Sequence, residues 1–201
     1  MILDRGRAVF LLLIIACSLT ASSSEQNRKQ RLADEIGRLY SSKSQVRTDA
    51  AKQLAAIGPS AVPELIQVVC DRSKPNFDTA WPLAAGILGD LKAKAAVPCL
   101  IELMMYKYPS IGPVEMKPDE TLANVDPSFA ALVHIGEPTV PALRKHLPFL
   151  GPEGAIMALR VLRAINTPSA RDAAEAYIRI LRDQLRLSKQ ILEDFGEKQR
   201  G

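Results

Sequence analysis

Three stretches of this chain repeat one signature. Residues 53–69 read QLAAIGPSAVPELIQVV, residues 86–104 read GILGDLKAKAAVPCLIELM and residues 131–147 read ALVHIGEPTVPALRKHL. Each has an apolar residue followed by Gly, a short polar link, then Val-Pro and an apolar segment. A more degenerate copy, ALRVLRAINTPSARDAAEAYI at 158–178, puts Asn166 where Gly stood. The junction residues Gly58, Gly89, Gly136 and Asn166 are separated by 31, 47 and 30 residues. The long interval is one period plus a 16-residue insertion. A fixed period near 30 requires one supersecondary unit used repeatedly, each copy burying its apolar side on the next.

The unit reads as helix–turn–helix. Counting back from each junction, position minus one is Ile57, Leu88, Ile135 and Ile165; position minus four is Leu54, Ala85, Leu132 and Leu162; position minus seven is Ala51, Pro82, Phe129 and Leu159. These predict the buried stripe of a first helix. Gly or Asn then ends that helix, because both tolerate the left-handed backbone of a C-cap. Ser60 or a nearby polar residue starts the second helix. Pro63, Pro98 and Pro141 fall in its first turn, where no amide hydrogen is needed. Pro82 falls early in its own helix, with Asp78 as the expected cap. Hydrophobic residues are 47% of the chain and aromatics only 5%, a composition suited to closely packed helices rather than a β-sandwich.

The motif Ile-Gly-x-x-x-Val-Pro-x-Leu, at Ile57–Leu65 and Ile135–Leu143, resembles the HEAT repeat family, in particular the short HEAT-like repeats also found in phycobilisome lyases. The resemblance covers about Gln45 to Tyr177. It implies an all-α fold: an α-solenoid, or α–α superhelix, of about four helical hairpins with N- and C-terminal capping helices. Two departures stand out. Arg47 has no counterpart at the start of the other first helices, and the last copy lacks both Gly and Val-Pro, as suits a terminal repeat with a polar outer face. The family has no general catalytic residues, so none carries over. The expected caps are a helix at Arg28–Tyr40, with Leu32, Ile36, Leu39 and Tyr40 on one face, and a long helix from Ser169 to about Phe195. The apolar stripe of that second cap suits either packing on the last repeat or binding a partner helix.

Ahead of the repeats, Arg5 and Arg7 precede an unbroken apolar run, Ala8–Ala16. This is the pattern of a secretory signal and too short for an ordinary membrane span. Its end, Ile14-Ile15-Ala16-Cys17, looks like a bacterial lipobox, which implies that Cys17 becomes the lipidated mature N-terminus; Leu is more usual than Ile14, and a smaller residue than Ile15. Ordinary cleavage near Ala21 and Ser23, or an uncleaved anchor, are the alternatives. The expected organisation is a signal at 1–17, a Ser-rich tether at 18–24 and a repeat domain at 25–201 with an insertion at 106–125. Export permits a disulfide, but Cys70 and Cys99 lie near a helix end and a helix start without a Cys-x-x-Cys motif, and are expected as buried, unpaired thiols.

No catalytic constellation is legible. Gly-x-Ser-x-Gly, a phosphate loop and His-Glu-x-x-His do not occur. His134 and His146 are the only histidines; their spacing makes a poor zinc site, and His134 is expected as a packed imidazole with one hydrogen-bond partner. Glu102 is an isolated acid, and the adjacent Asp119 and Glu120 suit a helix cap. No metal or cofactor is expected. The net charge of +4 is spread without a block of five like charges. Arg144, Lys145, Arg160, Arg163 and Arg171 read as a solvated ridge beside Glu153, Asp172 and Glu175, and nucleic acid is not the expected partner. The insertion offers the best contact residues, Tyr106, Tyr108, Ile111 and Met116, unless it is a connector folded over the array. Trp81 is either an enlarged packing residue or an exposed aromatic on the ridge. The expected function is an exported, non-enzymatic scaffold for an unknown protein of the cell envelope, membrane-held if Cys17 is lipidated, its oligomeric state open; the alternative is a lyase-like, ligand-holding chaperone.

Overall fold

The structure, a computed structural model, describes residues 25–107 and 126–198. Among them every regular element is helical and no strand occurs. The helices are α1 (25–39), α2 (Ser44–Ile57), α3 (Val62–Cys70), α4 (Phe77–Asp90), α5 (Val97–Lys107), α6 (Pro127–Ile135), α7 (Val140–His146), α8 (Pro152–Ile165) and α9 (Pro168–Lys198). A 3-10 turn joins α2 to α3 (Gly58–Ala61), precedes α5 (Lys94–Ala96) and joins α6 to α7 (Glu137–Thr139). The second helix then opens on Val-Pro, with Pro63 and Pro141 in the first two positions. In the degenerate last copy, Pro168 takes over that role as the first residue of α9.

Packing follows the period. The first helices α2, α4, α6 and α8 touch in succession, and so do the second helices α3, α5, α7 and α9. The α4–α6 contact is the most extensive. Leu54, Ala85, Leu132 and Leu162 are buried, as the stripe requires. At position minus seven only Phe129 is fully buried, while Ala51 and Leu159 are half-buried. The position before it holds the core instead: Ala50, Trp81, Ser128 and Ala158 are all inside. The reason is the helical repeat. Six residues turn a helix by about 600°, some 120° short of two full turns, whereas seven come back almost into line.

Three junction residues end their helices at positive φ, but only Asn166, with ψ 34°, takes the expected left-handed conformation; Gly58 and Gly136, with ψ of -143° and -134°, take an extended backbone that favours glycine. Gly58 and Gly136 have φ of 72° and 75°, and Asn166 has φ of 53°, each donating its amide back to the carbonyl four residues earlier. Gly89 does not: it lies inside α4, and the left-handed residue is Lys92, at φ 50°. Gly89 serves packing. A Cβ built there would stand 2.8 Å from the Cα of Ala131 on α6, so hydrogen in place of a side chain lets the two helices approach closely.

Other local devices were less visible in sequence. Asp78 does not cap α4; the N-cap is Asn76, whose side-chain amide donates 2.9 Å to the Tyr40 carbonyl and so ties α4 to the end of α1. Pro82 is the sixth residue of α4, past its first turn, and leaves the Asp78 carbonyl without an intrahelical donor. Arg47 donates to the carbonyls of Ser41 and Ser42 at 2.8 and 3.0 Å, fastening the α1–α2 turn. Leu32 and Leu39 of α1 are buried, as a cap requires. Ser44–Cys70, 27 residues containing an 18-residue stretch with a mean hydropathy of 1.2, is long and apolar enough to cross a membrane by composition. It is instead broken at Gly58, and Leu54, Leu65, Val68 and Val69 point into the core.

The expectation of two buried thiols is overturned. Cys70, the last residue of α3 and exposed, and Cys99, the third residue of α5 and half-buried, form a disulfide with Cα atoms 5.4 Å apart. The two positions are not equivalent within the repeat, so the periodicity does not announce that they meet. The cross-link spans a sequence separation of 29, and in the chain-entropy picture a loop of that size contributes about 3–4 kcal/mol.

Two substitutions on one helix test the packing. Gly89→Ala should destabilise the protein by about 1–3 kcal/mol, because backbone rather than a flexible side chain opposes the new methyl. Gly86→Ala, three residues earlier with nothing within 4 Å of its Cβ, should stabilise by about 0.5–1 kcal/mol through helix propensity alone. Urea unfolding of the two variants checks both signs. Reduction of Cys70–Cys99 should lower the unfolding midpoint while leaving the helical circular dichroism of the folded state intact.

Candidate interaction surface

The residues proposed for partner contact divide sharply. Trp81 is buried, 5% exposed, with its ring 6.4 Å from that of Phe77 and inclined at 25°. It is the enlarged packing residue, filling the position that Ala50, Ser128 and Ala158 occupy in the other copies, and is no ridge aromatic. Tyr106 lies in the last turn of α5. Tyr108, Ile111 and Met116, with the rest of 108–125, fall outside the described residues, as do Cys17 and the 18–24 tether.

The histidines do not converge. His134 is exposed and its Nδ1 lies 3.2 Å from Asp90 Oδ1, so it has one partner but is not packed as expected. The pair joins the end of α6 to the end of α4 across a surface where an ion pair contributes little. His146 donates from Nδ1 to the Ala142 carbonyl of its own helix at 2.7 Å. Among the described residues no group of three His, Cys, Asp or Glu could hold a metal ion.

Polar groups inside the protein serve the helix ends. Asp126, fully buried, accepts from the Ser128 amide and hydroxyl at 2.7 and 2.6 Å and from the Phe129 amide at 3.1 Å. All three bonds use one carboxylate oxygen, which makes Asp126 the N-cap of α6. The hydroxyl of Thr139, also buried, donates 3.0 Å to the Leu132 carbonyl at the other end of that helix.

The resolved proton affinities run away from neutrality. The Ser73 hydroxyl and amide hold the Asp71 carboxyl below its ordinary range, and the Ser169 and Thr167 hydroxyls do the same for Glu137. Burial pushes the Tyr40 phenol up. General acid–base chemistry at neutral pH needs the opposite shifts.

What the described surface offers is shape and exposed side chains. A groove of about 450 Å³ runs between α1 and α2, lined by Asn27, Arg28, Arg31, Glu35, Gln53 and Ile57, with Arg28 donating to the Ser60 hydroxyl. No motif in the sequence marks it. A shallower recess of about 270 Å³ at the α8–α9 turn brings Arg163 and Arg171 together over Leu162 and Ala170, with Glu175 beside them. Two members of the anticipated basic ridge thus line one recess. Arg144 and Lys145 stand exposed in the last turn of α7, where positive charge complements the helix dipole. The largest apolar exposure lies on α9 beyond Tyr177.

Glu137 yields a pH test. Its side chain links the turn before α7 to the start of α9 through Ser169. Because its native pKa is lowered, the stability it contributes is present above the unfolded carboxylate value and lost as pH falls through the native one. Unfolding followed from roughly pH 6 to pH 3 should show a smaller acid loss in Glu137→Gln than in the parent.

Against known proteins the chain stands alone: no family model, no curated protein and no solved structure matches it.

Proposed function

We propose that this chain is a non-enzymatic scaffold. In this reading it is a HEAT-like α-solenoid that binds another protein of the cell envelope, after export and retention at the membrane through a lipidated Cys17. The observation that carries the reading is the order of helix contacts. First helices touch first helices and second helices touch second helices along the chain, which is how a repeat array builds one continuous surface at fixed spacing. The ordering entropy of such a surface is met during folding, before a partner arrives. The Cys70–Cys99 disulfide supports export, because such bonds persist in oxidising compartments. The signal at 1–17 and the tether at 18–24 belong to the same proposal.

The lyase-like alternative needs an accessible nucleophile or a polar pocket. Both cysteines of the repeat domain are joined to each other, which removes the thiols that a covalent ligand-holding role would use. The binding reading is the better supported of the two.

Photo-cross-linking in the native envelope tests it. A cross-linker replacing exposed Lys52 or Lys94, or Tyr108 in the insertion, should give a discrete adduct with one envelope protein, and deletion of 106–125 should weaken the adduct from the insertion first. Absence of a protein adduct from all three sites would contradict the scaffold. In the same preparation, a mature N-terminus without acylated Cys17 would remove the lipid anchor.

A further inference from the structure

We infer that the distal half of α9 is a basic amphipathic helix that lies on an anionic lipid surface. α9 has 31 residues and α8, its hairpin partner, 14; at 1.5 Å per residue these are about 46 and 21 Å long. Ala170, Ala173 and Tyr177 are buried, and no described residue after Tyr177 is. The second half of α9 therefore runs on past the packed core, exposing Leu185 at 58%, Leu192 at 70% and Phe195 at 66%.

The pattern of this segment selects its occupant. At about 100° per residue, Ile178, Leu181, Leu185 and Leu192 share one side of the helix. Ile180, Leu187 and Ile191 widen that side to nearly half the circumference; Gln184 and Ser188 are the polar residues within it, and the Ser188 hydroxyl donates to the Gln184 carbonyl at 2.9 Å. The opposite half carries Arg179, Arg182, Arg186 and Lys189, with Asp183 the single acid between 178 and 192. Glu193, Asp194 and Glu197 follow and mark the far limit of the basic stretch.

A second copy of the chain fits this poorly. A two-stranded seam needs only a narrow stripe and would leave Ile180 and Leu187 wet. Antiparallel pairing with Ile178 opposite Phe195 would set Arg182 beside Lys189. An anionic bilayer surface satisfies both halves at once. The broad apolar side enters the headgroup boundary, while the Arg and Lys side chains lie at the level of the phosphates. The helix argument does not depend on Cys17.

The test reads α9 directly, because the N-terminal apolar run would carry the full chain to any vesicle. Amide hydrogen exchange of the full chain is measured alone, with phosphatidylcholine vesicles and with vesicles containing about 30% phosphatidylglycerol. Exchange across 178–192 should slow about tenfold on the anionic vesicles only, and the effect should vanish at high salt. Arg182→Glu with Arg186→Glu, and separately Leu185→Asp with Leu192→Asp, should each abolish the protection without changing the unfolding temperature, since all four side chains are exposed. Equal protection on both vesicle types, or protection surviving the charge reversal, would overturn the inference. Protection in the absence of vesicles that rises with protein concentration would overturn it too, assigning the face to a second copy.

Discussion

The contact between α4 and α6 organises the molecule. Gly89 brings α6 so close that a methyl group in its place would meet the Cα of Ala131. That approach aligns the aliphatic side chains of both helices: Ala85 and Leu88 on one, Leu132 and Ile135 on the other, all buried. Dispersion and apolar burial are strongest where backbones come near and few voids remain. The contact also bridges the insertion, because α4 and α6 belong to copies separated by the long interval. Extra residues between α5 and α6 are tolerated because the packing of the first helices fixes the next copy in place without them.

Around that centre, each copy is finished by inexpensive local chemistry. Gly58 and Gly136, at positive φ, and left-handed Asn166 stop the first helices, and prolines start the second ones. The ends are tied by side chains rather than by more repeats. Arg47 and Asn76 hold the carbonyls at the α1–α2 corner, Glu137 and Ser169 link the last two copies, and Cys70–Cys99 joins α3 to α5 covalently. A chain with 5% aromatics has few large side chains with which to fill gaps, so close backbone approach and cross-links do that work.

Much of this was legible in the repeat. The helix pairs, the buried position minus four and the capping role of three junction residues follow from period and residue type. Gly89 was misread because a packing glycine and a capping glycine look alike until the neighbouring helix is placed. The disulfide was missed for a related reason: it joins unlike positions of two copies, and their meeting depends on the angle between helices, which periodicity does not encode. Asp126 stands before Pro127 and Ser128, a legible helix-start signal that the Val-Pro pattern overshadowed. Trp81 was ambiguous because a single large residue among small equivalents signals either packing or contact. Of the anticipated contact residues in the insertion, Tyr108, Ile111 and Met116 lie outside the described residues. The wide apolar side of α9 was visible as a stripe, but its exposure depended on where the core stops.

Native-state amide exchange followed residue by residue tests the central claim most directly. If the α4–α6 seam holds the fold together, amides of 80–89 and 129–135 exchange last, only through global unfolding, and share one opening free energy. Exchange in those two stretches at unequal rates, or faster than in α2 and α8, would contradict the account.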